Sequence, residues 1–156
     1  MSGRIFQLSR SPGGVPKHAL RHVHIGTLGL DGDGHKHPKI HGGPERAVCL
    51  YALERILALQ AEGHPIFPGS TGENVTLAGV PWDTGVPGAK LALGEHVVLE
   101  IASYTAPCNQ IADSFIDRVH RRMDHTRHPG WSRVYARVLH GGVVRVGQAA
   151  TIVTDT

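Results

Sequence analysis

Apolar and polar residues alternate along this chain in short runs, most of them with the period of a strand. Arg4 to Leu8 alternates, and Ser11 to Lys17 (SPGGVPK) then interrupts with two prolines and two glycines. His22 to Ile25 alternates weakly before four glycines break the stretch from Gly26 to Gly34. Ala47 to Tyr51 is continuously apolar and reads as a buried strand, with Cys49 inside it as a structural residue. Val75 to Leu77 alternates, and Gly79 to Gly94 is a long connection with short extended pieces. Glu95 to Ser103 predicts a strand with Val97, Leu99 and Ile101 on one side. Trp131 to Leu139 predicts another, with Val134, Ala136 and Val138 sharing a face. Gly141-Gly142 marks a turn, Val143 to Val146 begins a return, and Ala149 to Val153 closes the chain. Helical spacing occurs twice. Leu53 to Ala61 is the clearer case, with Leu53, Ile56 and Leu57 on one stripe and Gly63 as a stop. Asn109 to Met123 is looser, and Asp113 to Asp124 reads as a short amphipathic helix carrying Arg118, Arg121 and Arg122.

No repeat or linker interrupts the 156 residues, which predicts one domain spanning 1–156. With 20 glycines, 10 prolines and only 5% aromatics, turns must be frequent. That favours a mostly β, loop-rich fold over a helical bundle. The formal charge of +3 is mild. It suits an anionic small molecule or cofactor, while no basic run is dense enough for nucleic acid. Two cysteines far apart offer neither a disulfide framework nor a CxxC spacing. The absence of a signal-like or membrane-length apolar run predicts a soluble, cytoplasmic protein with no membrane partner.

Candidate chemistry centres on Ser103-Tyr104-Thr105-Ala106-Pro107-Cys108-Asn109-Gln110-Ile111. Pro107 fixes a turn just before a thiol, between a strand and an expected helix. A thiol at a helix N-terminus is favoured as thiolate, the form that attacks electrophiles or binds a soft metal. A small buried hydrophobe is the alternative reading of Cys108. In His41-Gly42-Gly43-Pro44-Glu45-Arg46, paired glycines let backbone N–H groups approach an anion, and Arg46 adds a forked donor. The alternative is a tight turn with a Glu45–Arg46 surface pair. In Pro68 to Thr76, Gly69 and Gly72 permit a tight loop. Glu73 and Asn74 there either pin that loop through its backbone or line a polar pocket. Asp31-Gly32-Asp33 lacks the ligand glutamate of a calcium loop and reads as a turn whose carboxylates fix backbone. His35, His37 and His41 lie close together, but at no recognised zinc spacing.

Taken together these stretches resemble the MOSC domain family, named after the C-terminal part of molybdenum-cofactor sulfurases. The matching pieces are Gly13-Gly14-Val15-Pro16-Lys17, Gly29-Leu30 with Gly32-Asp33, His41-Gly42-Gly43 with Arg46-Ala47-Val48, Gly72-Glu73-Asn74, Pro107-Cys108, and Ala136-Arg137-Val138 followed by Gly142 and Gly147. They stand in family order from about Gly13 to Ile152, most like the stand-alone bacterial members. The resemblance implies a bent, barrel-like β fold with a few peripheral helices. It maps the family's cysteine onto Cys108, as the ligand of molybdenum in a pterin cofactor (molybdopterin) or as a sulfur carrier. It implies that Lys17, His41, Gly42, Gly43, Arg46, Glu73 and Asn74 hold the cofactor. Glu45 stands where the family usually has Asp, and Asn109-Gln110 where relatives often have an aromatic residue or Lys.

Three functions are compatible with this resemblance. The first is a molybdenum-dependent oxidoreductase that reduces N-hydroxylated small molecules, with electrons from a separate reductase. The second is a sulfur carrier with a persulfide on Cys108, fed by a sulfur donor. The third is a non-catalytic cofactor-binding module.

Overall fold

The computed structural model describes residues 3–34 and 43–153. Most of the alternating segments become strands, and these close on one another. In chain order they are β1 (Gly3–Arg10), β2 (His18–Leu20), β3 (His22–Gly26), β4 (Gly29–Leu30), β5 (Val48–Ala52), β6 (Val75–Ala78), β7 (Lys90–Leu93), β8 (Val97–Tyr104), β9 (Val134–His140), β10 (Gly142–Arg145) and β11 (Ala149–Val153). The helix α1 (Leu53–Ala61) separates β5 from β6. β2 and β4 are too short to show a pattern in sequence.

The large sheet runs β11-β7-β8-β9-β5-β6-β1, and β11 pairs back onto β1 through Gly3↔Ala150 and Arg4↔Ala149. The result is a seven-stranded mixed barrel with β2 added outside β1, so the expected mostly β, barrel-like fold is what forms. Pairing is antiparallel except between β5 and β6, where α1 supplies the crossover that parallel strands require. A smaller sheet, β10-β3-β4, stands beside the barrel.

Side-chain alternation decides what the barrel holds. Val97, Leu99 and Ile101 of β8, Val134 and Ala136 of β9, and Val48 and Leu50 of β5 all point into one apolar core. Each such Val or Leu contributes roughly 1.5–3 kcal/mol through burial. β5 is buried on both faces, because its outward residue Tyr51 is covered by a second cluster. That cluster joins Ile56 and Leu59 of α1 to Ile66, Ile111, Phe115 and Met123.

The expected helix over 109–123 is not there. Two short 3-10 turns, Asn109–Ser114 and His120–Met123, stand in its place. Phe115 is extended, at φ −122° and ψ 131°, and Arg118 takes φ 60°. The Asp117 carboxylate accepts a hydrogen bond from the Val119 N–H, a local turn that competes with a helix. Burying Ile111, Phe115 and Met123 together outweighs the loose helical spacing. Arg122 accordingly does not lie on a solvated helix face. It forms a two-point pair with Glu62 and stacks its guanidinium over Trp131 at 4.1 Å.

Candidate functional site

The outward faces of β5 and β9 form the floor of a cavity, because strand period two sends Cys49 and Tyr135 away from the core. Loops close over this floor. The bent segment around Gly14 and Val15 forms one wall, Thr71 to Asn74 another, and Thr105 to Cys108 a third. The inner space is about 60 Å³, and Lys17, Arg46, Asn74, Cys108 and Arg133 all line it. It shares Gly14, Val15 and Gln110 with an outer cleft of about 510 Å³ that also includes Pro12 and Gly13. Only the outer cleft falls in the size range of organic-ligand pockets, roughly 300–1,000 Å³.

β8 delivers the thiol. Its pairing with β9 shifts register between Ile101 and Ser103, and such an irregularity re-aims a strand end. The chain leaves β8 at Tyr104, is held by the Thr105 N–H donating to the Arg133 carbonyl at 2.9 Å, and reaches Cys108 through Pro107. Cys108 is half-buried on the cavity wall, immediately before the first 3-10 turn.

A polar lattice behind the wall fixes the cationic groups. Asp33, itself buried, accepts from Lys17 Nζ at 2.6 Å and from the Ser11 N–H at 3.0 Å. Its second oxygen accepts from Asn74 Nδ2 at 2.9 Å. Asn74 also accepts from the Cys49 N–H at 3.0 Å and donates to the Ser9 carbonyl at 3.2 Å. One side chain therefore ties β5, β1 and the Asp33 turn together. The expectation that the Asp31–Asp33 carboxylates fix backbone holds at Asp33.

The expected residues separate on inspection. Lys17, Arg46, Asn74 and Cys108 share the cavity wall. Gly43, at φ 96°, caps the 3-10 turn Pro44–Arg46 that carries Arg46, but it does not line the space. His41 and Gly42 lie outside the described residues, as do His35 and His37. Glu73 is fully buried and does not line the space. It accepts hydrogen bonds from the Thr71 and Thr76 hydroxyls, so it pins the loop, whereas Asn74 both pins and lines. Glu45 pairs with Arg137 at 2.7 Å and not with Arg46. Arg46 instead lies over the Tyr135 ring at 5.7 Å.

Sequence reasoning missed Arg133, Tyr135 and the cavity face of Cys49. A signal existed: Arg133 just before β9, and Tyr135 and Arg137 within it, alternate with Val134, Ala136 and Val138. Arg133 is buried, with one Nη donating to the Thr71 carbonyl at 2.5 Å and the other to the Ala106 carbonyl at 3.5 Å. Its Nε–H is sealed and has no partner among the described residues. Burial pushes the Cys49 thiol up against the lowering influence of Arg133, and pushes the Tyr135 hydroxyl up to about 12. Both groups therefore stay protonated near neutral pH. Burial likewise raises Glu73, although backbone N–H groups, the Thr71 hydroxyl and Arg133 favour its charged form. Among the described residues neither Arg46 nor Arg133 has a carboxylate ion-pair partner, so the space is net positive.

The sequence profile of the MOSC domain matches residues 37–151. The chain belongs to the MOSC domain family. Within it, the protein is 31% identical over 119 residues to YflK of Bacillus subtilis, covering 76% of this chain and 52% of that one. It is 30% identical over 125 residues to YiiM of Escherichia coli, covering 74% and 53%. This MOSC protein thus spans about half the length of these relatives. Its fold is also that of YiiM from Geobacillus stearothermophilus, with a TM-score of 0.77 and 23% identity over 97% of this chain and 75% of that one. The YUAD protein of Bacillus subtilis superposes with a TM-score of 0.74 at 17% identity, covering 96% and 94%. Among the described residues no helix is long and apolar enough to cross a membrane.

Proposed function

We propose that this MOSC protein binds a molybdenum–pterin cofactor in the cleft and acts as an oxidoreductase on N-hydroxylated small molecules. The observation that carries this reading is a half-exposed thiol, Cys108, beside two guanidinium groups that no carboxylate neutralises among the described residues. A soft sulfur ligand suits molybdenum, and the net positive lining suits a phosphate-bearing pterin. The volumes are compatible with a split arrangement: the outer cleft takes the ring system and the inner space takes groups of a few atoms.

When bound, the cofactor supplies two-electron redox chemistry at the metal. The chain's own residues do the rest. Cys108 would ligate the metal through Sγ. Lys17, held by Asp33, and Arg46, laid over Tyr135, would meet the phosphate, with Gly43 capping the turn that carries Arg46. Asn74 holds the wall in register, and Glu73 holds the loop that carries it. The overall reaction takes two electrons from a separate reductase and two protons from water, and releases the hydroxylamine oxygen as water.

The test is molybdenum and pterin analysis of protein made in a host that synthesises the cofactor. Stoichiometric molybdenum is expected in the wild type and none in Cys108→Ala, with melting unchanged. Wild-type molybdenum content in that variant would rule out the assignment. The sulfur-carrier reading is favoured by the partial exposure of Cys108 on the cavity wall, which leaves it open to a donor's persulfide. In that reaction the thiolate takes the outer sulfur and the donor leaves as its thiolate. A labile persulfide without metal would select it.

A further inference from the structure

The small sheet beside the barrel leaves one face open to solvent. Val23, Ile25 and Val144 belong to the core, so strand alternation turns His22 and His24 of β3, and Val143 and Arg145 of β10, outward. Arg145 stands opposite His22, and Val143 opposite His24. The Val146 N–H donates to the Arg21 carbonyl at 2.9 Å, which sets Arg21 at the end of the same ribbon. On the other side Arg10, opposite His18 in the β1–β2 pair, donates from Nη1 to the Asp31 carbonyl at 2.6 Å. The Asp31 carboxylate lies 3.6 Å from His24 Nδ1. These contacts join Arg10, His18, Arg21, His22, His24 and Arg145 into one surface. Asp31 is the single carboxylate among the residues that build it, 10–31 and 142–147. Neither Arg10, Arg21 nor Arg145 has a carboxylate partner among the described residues. Apolar side chains are exposed beside these cations: Leu28 in the β3–β4 turn, Val143, and Val146.

We propose that this face docks a small acidic electron-carrier protein, the donor that the oxidoreductase reading requires. Arginine stays charged at any working pH, so three arginines without carboxylate partners steer an anionic surface toward the sheet. Apolar side chains set among charged donors match a protein contact, with its dry centre and polar rim. Electron-transfer encounters bury little area and depend on charge for their speed, which suits a sheet this small. The face also backs onto the site. His18 follows Lys17, which lines the inner space, and Asp31 stands two residues before Asp33, which holds the Lys17 ammonium. The start of β2 and the Asp31–Asp33 turn therefore run from the docking face to the cavity wall. The proposal rests on the oxidoreductase reading for the partner's redox role, but the contact itself needs no cofactor.

The experiment titrates the full chain with a bacterial flavodoxin and with a plant-type ferredoxin, both acidic carriers, by calorimetry and by amide NMR. Saturable binding of at least one is expected, with shifts concentrated in β3, β10 and Arg21. Affinity should fall about tenfold or more between about 0.05 and about 0.3 M salt. The double reversal Arg21→Glu with Arg145→Glu should weaken binding by about tenfold or more. Arg118→Glu with Arg121→Glu, an equal change of net charge on the loop after Cys108, should weaken it far less. All four side chains are exposed, so melting should be unchanged, and the wild-type NMR map stands even if a variant misfolds. Phosphatidylserine vesicles and a DNA duplex serve as rival anions. The proposal is overturned if neither carrier binds, if the two double variants weaken binding equally, or if the shifts fall elsewhere. It is also overturned if vesicles or duplex bind this face more tightly than both carriers. Molybdenum is measured on the same wild-type protein, made in a host that synthesises the cofactor. Molybdenum without carrier binding removes only the docking face, and carrier binding without molybdenum removes only the oxidoreductase reading.

Discussion

Two cysteines border one cavity, yet their surroundings differ enough to give them different chemistry. Cys49 is buried in β5, and burial raises its thiol, whereas Cys108 is half-exposed on a loop. Reaction needs both thiolate and access. Iodoacetamide at pH 8 should therefore label Cys108 well before Cys49, and Cys49 only on unfolding, as peptide mass spectrometry would show. Equal labelling rates would contradict the burial argument. Glu73 gives a second residue-level prediction. Its folded-state pKa is raised, chiefly by burial, so the folded state binds the proton more tightly than the unfolded chain does. Stability should fall as pH climbs from the unfolded value, about 4.3, through the raised folded value. Glu73→Gln removes that titration, so its melting temperature relative to wild type should become more favourable with rising pH. Parallel melting curves from pH 4 to 8 would show that Glu73 is not so perturbed. Cys108, Lys17, Arg46 and Asn74 were legible as site residues because loop motifs carry them. Arg133 and Tyr135 were obscured because one precedes and the other lies in β9, whose apolar face dominates the pattern.

Elements were legible where one period governed a whole segment. Leu53–Ala61 forms the predicted helix, and Val97, Leu99 and Ile101 point inward as expected. The segment after Cys108 was misread because its apolar residues answer to a tertiary cluster and not to a helical face of their own. Joints between elements were the least legible, and Asn74 is the main one. Its backbone exchanges hydrogen bonds with Cys49 and Ser9 just before β6 begins, while its side chain reaches the same two residues and Asp33. Asn74→Ala would orphan the buried Cys49 N–H and free one Asp33 oxygen. A loss of about 2–4 kcal/mol in urea unfolding is expected, one to two buried hydrogen bonds' worth. A loss under about 0.5 kcal/mol, typical of surface changes, would mean that the lattice does not hold these strands.

At the scale of the whole molecule, the barrel was expected through family resemblance, and nothing in the local patterning announces how it closes. Closure joins the first strand to the last, a contact between segments far apart in sequence whose register rests on Gly3↔Ala150 and Arg4↔Ala149. The seam continues through the Ile5 N–H donating to the Gln148 carbonyl at 2.9 Å and the Gly147 N–H donating to the Ile5 carbonyl at 2.8 Å. Glycine at position 3 is a packing requirement. A Cβ there would lie 2.4 Å from Val80 Cγ2 and 2.9 Å from the carbonyl oxygens of both Ala78 and Ala150. Two of these obstacles are backbone, so β6 and β11 would have to part. Gly3→Val should therefore cost about 1–3 kcal/mol, as overpacking does. The loss should be local: in native-state hydrogen exchange the Ile5 and Gly147 amides should speed up by about tenfold or more, while amides of the β8–β9 ladder stay protected. The site walls rest on β5, β9 and the loops near them, so the Cys108 alkylation rate should not change. Unchanged protection at Ile5 and Gly147 would mean that the barrel does not depend on this seam. Accelerated exchange throughout, β8 included, would mean instead that closure and core form one cooperative unit.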